Sequence, residues 1–134
     1  MSFTSVRIIT ADIRPLIEFY EKVTGVKAIQ HTEDFAEFRT SLATLAIGSV
    51  KTLALFGGNG IAAPAQNHSV IFEFRVDNVD KKYEEQAGFF NDCMVQLPTT
   101  MPWGNRSLLI RDPDGNLVNL FNPVTAEARE RFGL

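Results

Sequence analysis

Hydrophobic and polar residues alternate from Phe3 to Ala11: Val6, Ile8 and Thr10 fall on one side, Ser5, Arg7 and Ile9 on the other. That period of two predicts a strand with one buried face. From Ile13 the period lengthens. Ile13, Leu16, Ile17 and Tyr20 form a stripe at helical spacing, with Phe19 beside it. Asp12 is placed to cap this helix, Pro15 sits in its first turn where a missing N–H does no harm, and Gly25 is its stop. Four short strand candidates follow, Val26 to Thr32, Phe35 to Thr40, Ala43 to Gly48 and Thr52 to Phe56. Gly57 to Asn67 carries three glycines and a proline without periodicity. It reads as a linker between halves or a loop over a pocket.

The second half repeats the plan. Ser69 to Val76 is a strand, and Asn78 caps a helix over Val79 to Ala87 that Gly88 ends. Met94 to Leu97 is a strand and Pro98 to Pro102 a loop. At an offset of 66 residues Val6 meets Phe72, Arg7 meets Glu73, Asp12 meets Asn78 and Ile13 meets Val79. Identity is negligible; the pattern recurs. Neither half is large enough to bury a core alone.

Trp103 to Pro123 closes the second half as a hairpin. Ser107 to Ile110 is one strand and Leu117 to Phe121 the return. Between them Asp112-Pro113-Asp114-Gly115 is turn chemistry, which accounts for both carboxylates without catalysis. On the return strand Val118 and Leu120 face one way, Leu117, Asn119 and Phe121 the other. A terminal helix over about 125–132 is capped by Thr125.

The Trp103-Gly104 pair, the Arg-Asp-Pro-Asp-Gly-Asn turn and the apolar strand ending at Asn122-Pro123 resemble the last hairpin of the vicinal-oxygen-chelate superfamily. That group holds glyoxalase I, extradiol dioxygenases, fosfomycin-resistance enzymes and bleomycin-binding proteins. The Asp12 cap, Glu18-Phe19-Tyr20 and Gly25-Val26 are similar to its opening motif. The resemblance implies an α+β fold: two tandem βαβββ modules forming a curved mixed sheet with a concave ligand cup and helices on the convex side. Module 1 then spans about 1–57, the linker about 57–67 and module 2 about 68–123, all within one domain. A homodimer is also implied, with the cup often completed by the partner.

The superfamily's metal enzymes place His, Gln or Glu at four cup positions. By distance from the matching motifs these fall here on Ser5, Ile71, Asn119 and either Ala46 or Ala54. Apolar Ile and Ala bind no metal, and neutral Ser and Asn do not offset a double charge. No metal and no other cofactor is therefore expected. His68 reads as a strand-entry residue and His31, beside Glu33 and Asp34, as part of a solvated turn. Alternation puts Ser5, Arg7, Ile9, Ile71, Glu73, Arg75, Leu117, Asn119 and Phe121 on the cup face. Arg7 and Glu73, pseudo-equivalent, are expected to pair. The ligand-binding set is Ser5, Arg7, Glu73, Arg75, Trp103, Asn119 and Phe121. Glu73 is the one general-base candidate, though Arg7 beside it would lower its pKa. Arg106 and Arg111 read as solvated charges on the outer face of the hairpin.

Composition narrows the classes. With 134 residues, 45% hydrophobic, 22% charged and a net charge of −3, the chain has the makeup of a soluble domain and no basic run for nucleic acid. No apolar run reaches membrane-spanning length, and the first residues lack the features of a secretion signal. A lone Cys93 forms no internal disulfide and reads as a small half-buried apolar residue. A cytoplasmic location is the default. Eleven Phe are many for this length and are divided between core and cavity lining. The favoured reading is a metal-independent protein that holds a small molecule in the cup. The alternatives are a divalent-metal lyase, isomerase or dioxygenase of the same superfamily, or a metal-free enzyme using Glu73.

Overall fold

A computed structural model describes residues 1–58 and 60–134; Asn59, inside the expected linker, lies outside the described residues. The chain divides into two compact units, Met1–Gln66 and Asn67–Leu134. Each carries its own four-stranded mixed sheet.

In the first unit β1, Ser5–Thr10, hands over to α1, Ile13–Thr24, at Asp12. Asp12 keeps an extended backbone and its carboxylate accepts the Arg14 N–H at 3.1 Å. Arg14 also grips that carboxylate with its guanidinium. The guanidinium first and the backbone N–H second hold the Asp12 carboxyl down at about 2, against an ordinary 3.8. Gly25 ends the helix at φ +71°, a conformation costly for any side chain with a Cβ. β2, Ile29–Thr32, β3, Phe35–Arg39, and β4, Thr44–Ser49, complete the sheet in the order β1-β4-β3-β2. β1 runs parallel to β4, the rest antiparallel.

α1 buries Ile13, Leu16, Phe19, Tyr20 and Val23. Phe19 thus takes the inward place expected of Ile17, which is only half-buried. The helix packs on β3 and β4, with the Tyr20 ring set against Phe19 at 5.0 Å and Phe38 at 6.1 Å. Ala36, Phe38, Leu45 and Ile47 supply the sheet side of this core.

The fourth strand expected over Thr52 to Phe56 does not form. Val50–Phe56 is a 3₁₀ helix. Ser49 caps it by accepting the Lys51 N–H, and the Thr52 hydroxyl donates to the Ser49 carbonyl at 2.7 Å. Local side-chain bonds of this kind compete with strand pairing. Only Leu53 of the segment is buried.

The second unit repeats the order as β5-β8-β7-β6. β5 is Ile71–Arg75, β6 Met94–Thr100, β7 Asn105–Arg111 and β8 Leu117–Pro123. Asn78 caps α2, Val79–Glu85, by accepting the Lys81 N–H. The helix stops at Gln86 rather than Gly88, because Gln86 leaves helical geometry at φ −133°. A second short helix, α3, Ala87–Asp92, follows and contains Gly88. It brings Phe90 into the core, fully buried.

β6 extends through Pro98 to Thr100, into the first part of the expected loop. Pro98 is tolerated because β6 is an edge strand and its pairing with β7 slips between Gln96 and Thr99. The β7–β8 hairpin forms as expected. Asp112 accepts the N–H groups of Asp114 and Asn116 and the Asn116 side-chain amide, at 2.8–2.9 Å, and Gly115 takes φ +82°. α4, Ala126–Arg131, is capped by Thr125. It docks where Gly104, at φ +92°, leaves no room for a Cβ: one would lie 2.1 Å from Thr125 Oγ1. Among the described residues no helix is long and apolar enough to cross a membrane.

Candidate functional site

Each sheet has a helix-covered face and a second face, and strand alternation assigns every side chain to one of them. In the second unit Asn122 confirms the assignment. Its side chain accepts the Val79 N–H at the start of α2, so Val118, Leu120 and Asn122 point toward the helices. Leu117, Asn119 and Phe121 then lie on the other face with Ile71, Glu73 and Arg75. In the first unit buried Ile8 and Thr10 share the helix side, leaving Ser5 and Arg7 exposed opposite.

The pairing registers decide between the two alanines. Glu73 lies opposite Asn119 in the parallel β5–β8 pair. Its pseudo-equivalent Arg7 lies opposite Ala46 in the β1–β4 pair. Ala46 is therefore the counterpart of Asn119, and Ala54 drops out because it belongs to the 3₁₀ helix.

Arg7 and Glu73, expected to pair, each have partners within their own unit. The Arg7 guanidinium lies over the Phe35 ring at 4.8 Å and the Phe56 ring at 5.5 Å, both cation–π distances. At Gly48, opposite Phe35 in the register, an added Cβ would lie 2.8 Å from Thr52 Oγ1 and in ordinary contact with the Arg7 stem at 3.5 Å. Glu73 accepts from the Asn119 amide, Nδ2 to Oε2 at 2.8 Å. Asn119 is buried, and its Oδ1 has no hydrogen-bond partner among the described residues. Arg75 lies over the Phe132 ring at 5.5 Å, and that ring sits 5.5 Å from Phe121. Phe121 is consequently buried rather than an open wall. The Trp103 ring is exposed, while its carbonyl accepts from Arg131 of α4. Thus Glu73, Arg75, Asn119 and Phe121 are neighbours on one face, Ser5 and Arg7 lie on the corresponding face of the other unit, and Trp103 stands at the β6–β7 turn.

Sequence reasoning missed a polar cluster on the first unit. His31 belongs to β2, not to a solvated turn: its Nε2 is 2.7 Å from Glu37 Oε1, and its ring stacks on Phe35. Arg39 donates to the same oxygen at 3.1 Å. Burial pushes the Glu37 carboxyl up, but the hydrogen bonds and charges of His31 and Arg39 outweigh it, and the net shift is downward. The β2–β3 pairing shifts between Gln30 and Thr32, and His31 lies at that shift. The strand pattern alone carries no signal for it.

Other candidates resolve simply. Arg106 is not a free charge; it binds Asp80 in the first turn of α2, with Nε and Nη2 at 2.9–3.2 Å. Arg111 donates to the Gly115 carbonyl. His68 is exposed ahead of β5. Burial raises the Cys93 thiol pKa, which disfavours the reactive thiolate.

Of the positions inherited from the metal enzymes, the first unit carries Ser5 and Ala46 and the second Ile71 and Asn119. Each unit thus supplies at most one neutral oxygen and no charge, which does not fit a divalent ion. Among the described residues no group of three or more His, Cys, Asp or Glu is placed to hold a metal.

Comparison with known proteins agrees with this architecture. The profile of the Glyoxalase/Bleomycin resistance protein/Dioxygenase superfamily matches residues 2–120. The chain is 31% identical over 122 residues to a probable trivalent organoarsenical cleaving enzyme of Bacillus subtilis (strain 168), covering 87% of this chain and 76% of that one. It is 24% identical over 126 residues to the protein YraH of the same organism, covering 90% and 98%. A solved glyoxalase/bleomycin resistance protein/dioxygenase family enzyme from Burkholderia phytofirmans PsJN superposes with a TM-score of 0.78 at 16% identity, over 92% of this chain and all of that one (100%).

Proposed function

The chain belongs to the Glyoxalase/Bleomycin resistance protein/Dioxygenase superfamily, and from that premise we propose that it binds a small molecule without a metal ion. One observation carries the reading: the positions that hold metal ligands in the superfamily's enzymes carry Ser5, Ala46, Ile71 and Asn119 here. Lewis-acid chemistry needs donors that fix and partly neutralise the ion, and this set supplies neither function. The remaining side chains of the sheet faces suit recognition instead. Arg7 and Arg75 are guanidiniums laid on aromatic rings, Glu73 and Asn119 are acceptors, and Trp103 and Phe132 expose aromatic surface. A few polar anchors amid apolar surface is the usual make-up of a ligand site.

The relative named as an organoarsenical cleaving enzyme favours a second reading, a carbon-bond lyase. Such an activity here would have to work without a low-pKa thiol, since Cys93 is the one cysteine and burial raises its pKa. A thermal-shift screen of antibiotics, aromatic metabolites and organoarsenicals, run before and after exhaustive chelation, tests both readings. The binding reading expects a hit whose affinity survives chelation and which is recovered intact. Turnover of the hit, abolished by chelator and restored by one divalent metal, would replace it with the lyase.

A further inference from the structure

Asn119 carries an open acceptor where open acceptors are costly. Only 9% of the residue is exposed, its amide nitrogen donates to Glu73, and Oδ1 meets no donor among the described residues. The orientation is determined. A flipped amide would turn its oxygen toward a carboxylate, so the Glu73 bond leaves Oδ1 as the free atom. Few buried acceptors persist in native proteins without a partner, and each one asks for a donor.

Glu73 supplies a second acceptor at the same place. It is exposed on β5 and takes part in none of the ion pairs among the described residues. Four arginines of this unit are engaged elsewhere. Arg75 lies on Phe132, Arg111 on the Gly115 carbonyl, Arg106 on Asp80 and Arg131 on the Trp103 carbonyl. The pair thus sets one exposed carboxylate beside a buried amide oxygen that lacks a donor among the described residues, with the Phe121–Phe132 rings one step along the sheet face.

We infer that Glu73 and Asn119 recognise a protonated nitrogen of the ligand, an ammonium, amidinium or guanidinium group. Glu73 takes the charge and Asn119 Oδ1 accepts one N–H. The inference rests on the binding reading above and names its ligand class. Its chemistry follows from the inventory. One carboxylate and one neutral oxygen offset a single charge, not a double one, and both lack the hydrogens that an organic cation brings. An organic cation would therefore sit against Asn119, one of the positions inherited from the superfamily's metal ligands.

Benzylammonium is the probe, followed by NMR of the isotope-labelled full chain, with benzyl alcohol and benzoate as controls. Saturable shifts are expected at the Asn119 side-chain amide and along Ile71–Arg75, from benzylammonium alone. Glu73→Gln, an exposed and conservative change, should weaken binding roughly tenfold or more, as loss of a charge-assisted bond does. Asn119→Leu should do likewise while the spectrum keeps its dispersion. Equal response to benzoate, no response at millimolar probe, or binding indifferent to Glu73→Gln would overturn the inference. A neutral or anionic screening hit indifferent to Glu73→Gln would also sink it, yet leave the binding reading standing. A stoichiometric divalent ion displacing the probe from these two side chains would overturn both.

Discussion

The two units share a plan and differ in how they treat its acidic groups. Both order their strands with the first beside the last, and both start a helix on an Asx cap, Asp12 or Asn78. On the helix side the residues are mostly apolar, Ile8, Phe38 and Ile47 in one unit and Leu108, Val118 and Leu120 in the other, with Thr10 and Asn122 at the strand ends. On the opposite face they diverge freely. The first unit closes its half-buried acid, Glu37, with His31 and Arg39. The second leaves Glu73 and Asn119 with acceptors to spare. The fold depends on the first face and is nearly indifferent to the second, which is where recognition chemistry is free to vary.

The largest expected effect breaks the symmetry of the helical layers. Phe38→Ala and Phe90→Ala each remove a fully buried ring and should cost about 3–5 kcal/mol in denaturant unfolding. A Phe90→Ala loss below about 1 kcal/mol would show that the broken α2–α3 layer is not the counterpart of α1. Next comes Gly104→Ala, which forces a side chain into left-handed backbone and against Thr125. A cost of about 2 kcal/mol or more is expected, with hydrogen-exchange protection lost in α4 but kept in α1. Protection lost equally in both would contradict a local docking role.

Smaller effects sharpen the contrast between the two acidic sites. Asn119→Leu removes a buried unpaired acceptor and should be neutral or stabilising by up to about 1 kcal/mol. Glu37→Gln breaks satisfied but partly exposed pairs and should cost about 0.5–1 kcal/mol after solvent screening. Because the folded Glu37 pKa lies below its ordinary 4.5, its contribution is complete above that value. It is lost as pH falls through the lower folded pKa. A wild-type acid-unfolding curve that runs parallel to that of Glu37→Gln from pH 4.5 downward, the difference between them never closing, would remove this assignment. The smallest effect is at Asp12, fully exposed and depressed to about 2. Its support for α1 is present above 3.8 and fades toward about 2. Asp12→Asn should flatten that part of the pH profile without unfolding the helix.

The caps at Asp12, Asn78 and Thr125 were legible in the sequence because capping is local chemistry, and the face assignments were legible because strand period is two. The Asp112 turn was legible for the same reason. What escaped depends on partners distant in sequence. The β2–β3 register shift at His31 has no composition signal. Pro98 reads as a loop until β6 is known to be an edge strand. Thr52 to Phe56 looks strand-like until Ser49 and Thr52 bond locally. The choice of Ala46 over Ala54 needed the register of β4, and the open Oδ1 of Asn119 needed the Glu73 bond that fixes its direction.

Metal analysis tests the central claim most directly. Protein purified without chelator and then equilibrated with Ni, Zn, Mn and Fe(II) in turn should retain well under one ion per chain after desalting, and Asn119→Leu should not change that. One tightly held ion per chain, lost in Asn119→Leu, would contradict the account.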